Sequence, residues 1–404
     1  MKKSKVPSGW MSCSLGSLGE LSAGGTPSTR DRSFWDKGTI RWMSSGEIHQ
    51  KHIREVKGRI TNKGYQNSNA KLLPVGTILI ALAGQGKTRG TVAITNIEVT
   101  TNQSVGAVKI KHDKVLPLYL FHNLDRRYQE LRRISLGDGR AGLNLDILRK
   151  LQVLLPPLPE QKEIAKILST WDRAIETLAK LIVTKTRLKK GLMQKLLNSK
   201  GKQIILKDIA EIVFSNVDKK SYSGQRQVSL CNYLDVYNNT YITSNLPFMQ
   251  ATASEAEINK FSLKEGDVII TKDSETPEDI GIPAVVVEKL KGVICGYHLA
   301  IIRPDTDKIN PVYLAKELTT LRIKKQFYKY ANGATRFGLG TGDIGKIEIV
   351  VPKLDDQVKI SRLFQSMDRE ASLFAMVREH WQSQKQGLMQ KLLTGKIRVK
   401  DGAK

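Results

Sequence analysis

GLMQKLL stands at 191–197 and again, unchanged, at 387–393. Working back from these copies at the same offset of 196 residues, Pro156 meets Pro352, Leu158 meets Leu354, Gln161 meets Gln357, Ile164 meets Ile360, and Asp172-Arg173 meets Asp368-Arg369. The register holds without a gap from about 156 to 197, so the chain is an internal duplication. Further upstream the likeness loosens. LGSLGEL at 15–21 resembles LKDIAEI at 206–212, LPVGTILI at 73–80 resembles LKEGDVII at 263–270, and Tyr119-Leu120 parallels Tyr313-Leu314. The layout is variable segment, helix, variable segment, helix: a common frame holding two different versions of one device.

The helical segments carry their own evidence. From Glu160 to Leu197 there is no proline and one glycine, Gly191, while Ile164, Leu168, Trp171, Ile175, Leu178 and Ile182, then Leu188, Leu192 and Leu196, recur in steps of three or four within each run. That is the stripe of an amphipathic helix, roughly 57 Å long at ~1.5 Å per residue. Its copy runs from about Asp355 to Leu393, and Pro157, Pro159 and Pro352 favour an extended approach with a hard start. The two stripes are expected to bury each other as an antiparallel coiled coil that sets the spacing between the variable segments. Those segments read as mixed and β-rich, with TILIALA, TVAIT and VGAVKI in the first and DVIIT, PAVVVE and VICGYHLAII in the second. Helical patterns interrupt them near 117–135 and 311–332.

Charge points to the partner. Among 404 residues, 65 Lys and Arg oppose 39 Asp and Glu, a formal net charge of +26. A polyanion such as nucleic acid would offset the resulting self-repulsion. Cys13, Cys231 and Cys295 form no CxxC pair, so neither a zinc ribbon nor a disulfide framework is suggested, and a reducing cytosol fits. MKKSKVPSGW is basic without a following apolar run, and no apolar run is long enough to span a bilayer. A cytoplasmic protein with no membrane partner is expected.

The search for chemistry returns near misses. ALAGQGKT at 81–88 fits a relaxed phosphate-loop pattern, but TRGTVAIT follows where a helix should stand. A hairpin turn presenting Gln85, Lys87, Thr88 and Arg89 to DNA fits better: Gln suits adenine, Arg suits guanine, and Lys and Thr suit phosphates. His49 and His52 form an HxxH pair without nearby cysteine or paired carboxylates, and read as solvent-facing. FGLGTGD at 337–343 occupies the repeat position of RAGLNLD at 140–146. Both read as polar turns, with Arg140 and Arg336 as candidate DNA contacts. No catalytic constellation, metal site or cofactor site emerges.

Several stretches together resemble one family. PSGW at 7–10, LGEL followed by SAGGTPS, FWDKGTIRWMSSGEI at 34–48, LLPVGTILIALAGQGKTRGTVAI at 72–94, NQSVGAV at 102–108 and LLPPLPEQKEIAKILSTWDRAI at 154–175 look like type I restriction–modification specificity subunits. The resemblance implies an α+β fold of two α/β target-recognition domains, 1–155 and 201–351. Two long antiparallel coiled-coil helices, 156–200 and 352–404 with the tail, would separate them in pseudo-two-fold symmetry. It implies a non-catalytic subunit reading a bipartite target in double-stranded DNA. Two modification (methyltransferase) subunits and restriction (translocase and nuclease) subunits would be its partners, carrying S-adenosylmethionine, ATP and Mg while this chain binds none. Matching segments add Thr26, Ser28, Arg30, Ser44, Ser45, Asn102 and Gln103 in the first domain as candidate DNA contacts, and Lys219, Lys220, Lys272, Ser274, Tyr297 and His298 in the second. There SNVDKK replaces GGTPS and ITKDSETPEDIG replaces IALAGQGKTRG, so the second half-site should differ from the first. The rival readings are a single-chain DNA methyltransferase or nuclease, and a scaffold that reads no sequence.

Overall fold

The computed structural model describes residues 6–84, 86–134, 142–197, 201–333 and 335–399. Two helices of 39 residues each, Leu158–Leu196 and Leu354–Leu392, match the sequence periodicity to within two residues at each end. The chain forms two compact units, and each long helix is shared between them. Unit 1 comprises residues 1–179 and 376–404, and unit 2 comprises 180–375. Each variable segment therefore packs on the first half of the helix that follows it and on the second half of the other helix.

In unit 1 the central sheet contains β1 (Gly19–Ala23), β2 (His52–Ile53), β3 (Ile78–Ala81), β4 (Val92–Thr95) and β5 (Val105–Ile110), in the spatial order β1-β5-β3-β4-β2. The apolar runs ILIA and VAIT are buried at every position, as strands covered on both faces require. The two-residue alternation sorts their side chains. Ile78, Ile80, Val92 and Ile94 face a core shared with Tyr119, Leu120, Ile164, Leu168, Met389 and Leu392. Leu79, Ala81 and Ala93 face a smaller core with Met43, Ile48 and Val99, beside the three-stranded sheet centred on Ile40–Met43.

Unit 2 repeats the plan with β6 (Ala210–Phe214), β7 (Tyr241–Ile242), β8 (Val268–Thr271), β9 (Pro283–Val286) and β10 (Leu299–Pro304), ordered β6-β10-β8-β9-β7. Val268 and Ile270 join Tyr313, Leu314, Ile360 and Phe364, while Ile269, Val286 and Ile301 face the other way. Cys231 and Cys295, distant in sequence, sit opposite each other on parallel strands as buried free cysteines.

Several of the repeated polar residues serve this frame. The Gln161 amide donates to the carbonyls of Pro156 (2.9 Å) and Lys114 (2.8 Å), and its oxygen accepts from Leu116 N–H. Gln357 does the same with Pro352, Lys308 and Asn310. The Tyr119 and Tyr313 hydroxyls donate to the carbonyls of Leu154 (2.8 Å) and Val350 (2.9 Å). GLMQKLL also has a packing role. Leu388, Met389, Leu392 and Leu393 close the core of unit 1, and Leu192, Met193, Leu196 and Leu197 close that of unit 2.

Within each unit the helix halves run antiparallel, joined by ion pairs that the duplication exchanges: Asp172 with Lys385 in unit 1, Asp368 with Lys189 in unit 2. Lys185 and Glu370 add a further pair in unit 2.

Unit 1 also has a tie at Glu160 that unit 2 lacks among the described residues. The buried Glu160 carboxylate accepts from Trp10 Nε1 (3.1 Å) and from Arg398 Nε and Nη2 (2.8 Å each), so the segment at 398–399 is fastened beside the segment at 7–10. Burial works against ionisation of Glu160, but Arg398 and Trp10 prevail and hold its carboxyl below the usual range. Arg398→Ala should destabilise unit 1 by about 1–2 kcal/mol by leaving that carboxylate under-bonded. All five tryptophans lie in unit 1, so the midpoint of denaturation followed by tryptophan fluorescence reads the change.

Candidate nucleic-acid interface

One end of each five-stranded sheet gathers the sequence-nominated residues. In unit 1, β1 and β3 both flank β5 antiparallel, Ala23 and Ala81 lying opposite the first residues of β5. The loop leaving β1, the loop leaving β3 and the turn entering β5 therefore emerge at the same end. Gly25 N–H donates to Thr101 O, Asn102 N–H to Met43 O, and Leu82 N–H to Ser104 O. These bonds bring Thr26, Ser28 and Arg30 together with Ser44, Ser45, Asn102 and Gln103. Thr26 Oγ1 donates to Gln103 Oε1 at 2.5 Å. Thr26, Ser28, Arg30 and Gln103 are exposed, and Ser44, Ser45 and Asn102 half-buried.

The GGTPS glycines explain the close approach. A Cβ on Gly24 would lie 2.1 Å from the Thr101 carbonyl oxygen, and one on Gly25 2.5 Å from the Ala70 nitrogen. Trp35 and Trp42, edge to face at 5.1 Å, clamp the loop by donating to the carbonyls of Ser28 and Gly25. Neither tryptophan was singled out from sequence, although FWDKGTIRWM carries both.

The ALAGQGKT segment runs from β3 through a turn into the antiparallel strand β4, with no helix following. Lys87 is exposed, while Thr88 and Arg89 are half-buried. The Tyr128 hydroxyl and Arg132 donate to the carbonyls of Lys87 and Gly86, fixing the turn from the helix at 128–134. His49 Nε2 meets Thr88 Oγ1 at 3.2 Å, placing His49 beside this turn. His52 departs from the solvent-facing expectation: it is half-buried with its ring 5.2 Å from Phe121. The two histidines diverge because one closes a 3-10 helix and the other enters β2. Gln85 and Arg140 lie outside the described residues.

Unit 2 places Lys219, Lys220, Lys272, Ser274, Tyr297, His298 and Arg336 around the corresponding end. Lys272 N–H donates to His298 O, Tyr297 N–H to Val217 O, and Leu339 N–H to Lys272 O. A cleft of ≈ 820 Å³ opens there, lined by Lys219, Ser274, Tyr297, His298 and Arg336 and also by Tyr233 and Tyr237. The two tyrosines stack at 5.6 Å and lie outside the sequence-nominated set. Lys272 is not available to DNA as an open cation. Its ammonium pairs with Asp273 at 2.8 Å and lies 4.5 Å from the Tyr297 ring centroid and 5.6 Å from that of Phe214. Asp273 also binds His298 Nδ1 at 2.5 Å. Arg336, Lys219 and Lys220 are exposed. The glycine-rich FGLGTGD and its counterpart are more than turns: each leads into a short helix, Thr341–Gly345 and Leu145–Lys150.

Comparison with known proteins decides the family. The model of the type I restriction modification DNA specificity domain matches twice, at residues 7–184 and 198–374. This chain belongs to that family. It is 26% identical over 315 residues to the type I restriction enzyme MjaVIII specificity subunit of Methanocaldococcus jannaschii, covering 70% of this chain and 71% of that one. It is 28% identical over 162 residues to the EcoR124I/EcoR124II specificity subunit of Escherichia coli, covering 39% and 40%. The crystal structure of a type I restriction–modification S subunit from M. genitalium aligns over 97% of both chains with a TM-score of 0.60 at 15% identity, a likeness of fold.

As a specificity subunit the protein recognises DNA sequence, and the two family matches correspond to the two copies found by the repeat. The division between conserved and divergent residues now has a physical meaning. Gln161/Gln357, Tyr119/Tyr313, Asp172/Asp368 and GLMQKLL hold the frame, while the loops at the sheet ends differ in composition. No helix among the described residues is long and apolar enough to cross a membrane.

Proposed function

We propose that each unit reads one half of a bipartite DNA target through the loops at the end of its five-stranded sheet, and that the chemistry resides on partner subunits. One observation carries this reading: the two units share a frame residue by residue and differ where loops from three strands converge in an exposed, polar cluster. Exposed Arg30 and Lys87 suit phosphates, and Asn102, Gln103 and Arg89 suit base edges. Methyltransferase and restriction subunits would hold S-adenosylmethionine, ATP and Mg, with the assembly working in the cytoplasm and this chain as its non-catalytic member. An apolar cleft of ≈ 600 Å³ on unit 1, lined by Ile167, Trp171, Ala174 and Trp381, supports docking of such a partner on the helices.

The test is direct. Replacing both Arg30 and Lys87 by alanine should weaken binding of the full chain to duplex DNA and reduce the slope of log K against log salt by about 2, close to 0.9 per lost phosphate contact. Titration across a salt series measures it. An unchanged slope would place the interface elsewhere.

A further inference from the structure

The loop that leaves the central strand of the five-stranded sheet has opposite charge in the two units. Both loops are closed in the same way: Gly90 N–H donates to Ala81 O at 2.9 Å, and Gly281 N–H to Thr271 O at 2.8 Å. Both closing glycines have positive φ, +81° and +73°, a conformation that favours glycine. Between these fixed points residues 82–90 carry Lys87 and Arg89 and no carboxylate, a formal charge of +2. Residues 272–281 carry Lys272 against Asp273, Glu275, Glu278 and Asp279, a formal charge of −3.

A loop of that charge is repelled by the phosphate backbone. Against DNA, it is suited to a base edge that donates. In the major groove those edges are cytosine N4 and adenine N6, whereas guanine O6 and N7 and thymine O4 would repel a carboxylate. Beside adenine N6 lies the acceptor N7, while cytosine presents its amino group with no acceptor of its own next to it in that groove. Resting on the reading of the sheet ends as the DNA-contacting surface, we propose that the 272–281 loop selects a cytosine in the half-site of unit 2, with Glu275 accepting the N4 amino hydrogen.

Two of the loop's carboxylates, Glu275 and Glu278, are exposed and make no hydrogen bond or ion pair among the described residues, and of these Glu275 lines the cleft while Glu278 does not. Asp273 is engaged by Lys272 and His298. Asp279 accepts from the Tyr237 hydroxyl (3.0 Å) and the Thr276 hydroxyl (2.8 Å). Asp235 accepts from the Asn232 backbone N–H at 2.7 Å. Glu275 lines the cleft, is exposed, and makes no hydrogen bond or ion pair among the described residues. Lys219 and Arg336 line the same cleft and supply cations for the flanking phosphates.

The experiment enriches bound duplexes from a pool with randomised positions, using the full chain, its E275Q variant and its E275A variant, and sequences the bound fraction. Residue 275 is exposed, so both variants should fold. Glutamine keeps the shape but donates as well as accepts, and alanine removes the acceptor. The expected result is that cytosine preference falls roughly tenfold at one position in one half of the enriched motif, with the other half unchanged. The same cytosine weight in both variants, or a loss spread over both halves, overturns the inference. If the unaltered chain enriches no motif, it is the DNA-contact reading itself that fails. A motif insensitive to residue 275 defeats only the role of this loop.

Discussion

Replacing Asp368 by alanine is expected to destabilise unit 2 by about 3–5 kcal/mol, because it strands the buried ammonium of Lys316. Asp368 Oδ2 accepts from Lys316 Nζ at 2.6 Å and from the Tyr241 hydroxyl at 2.8 Å, and Oδ1 pairs with Lys189. The Lys316 side chain is only 4% exposed. Burial pushes its ammonium pKa down while Asp368 opposes the shift. Burial likewise works against ionisation of Asp368, but Lys189, Lys316 and Tyr241 hold its carboxyl below the usual range. Without the carboxylate, Lys316 must shed its proton or stay charged in a dry site, and the first route limits the penalty. D368N, which keeps the shape and loses the charge, should fall between. The equivalent D172A change in unit 1 should cost less, about 2 kcal/mol, because the group matching Lys316 there is His122. Amide hydrogen exchange of Pro311–Leu318 reads unit 2, and tryptophan fluorescence reads unit 1. A loss under about 1 kcal/mol for D368A would mean that the cluster is hydrated and not holding the helices.

Acid should loosen unit 1 in a range where unit 2 has no histidine at the matching position. His122, aligned with Lys316, is fully buried. Its Nε2 lies 3.3 Å from Ser169 Oγ, and its Nδ1 lies 3.8 Å from Asp172 Oδ2. Burial, then the charges of Lys385 and His52, hold its pKa well below 6.5. Asp172 lends little help because Lys385 already engages it. His52, aligned with Tyr241, is shifted the same way, first by burial. In the unfolded chain a histidine titrates near 6.5. Below that pH the unfolded state binds a proton that the folded state refuses, so stability is complete above about 6.5 and falls as pH drops. While the folded state stays unprotonated at His122, the loss steepens toward a limit of ~1.4 kcal/mol per pH unit. Tryptophan-detected urea unfolding between pH 7.5 and 5 should show the decline. H122F should flatten it, leaving the smaller contribution of His52. An equal slope in H122F would assign the acid response to other groups.

These two predictions show where the sequence was legible. The offset of 196 residues aligned Asp172 with Asp368 and Lys189 with Lys385, but it could not say that each aspartate pairs with the lysine of the other copy. Nor could it say that Gln161 and Gln357 bind the loops at 114–116 and 308–310. Such bonds join residues far apart in the chain, and nothing in local spacing encodes them.

What the sequence determined by itself was periodic or repeated. The duplication, two helices within two residues of their ends, and the buried runs ILIA and VIIT follow from side-chain spacing, which local geometry dictates. The family was legible from contiguous motifs such as SAGGTPS, NQSVGAV and LLPPLPEQKEIAKILSTWDRAI, which need no tertiary contact to be read. Tertiary structure alone decided which polar groups share a place. It gathered Thr26, Lys87 and Gln103 at one sheet end by antiparallel pairing of β1, β3 and β5, and brought Ser44 to them through the bond from Asn102 N–H to Met43 O. It sent His49 to the surface turn and His52 inward, although three residues separate them. It withdrew Lys272 into an ion pair between two rings and left Glu275 uncommitted beside it, though each was one acid or base in KDSE. Partnership is set by distance in the folded state, and the neutralising neighbour of a charge belongs to the strand or helix that packing brings alongside.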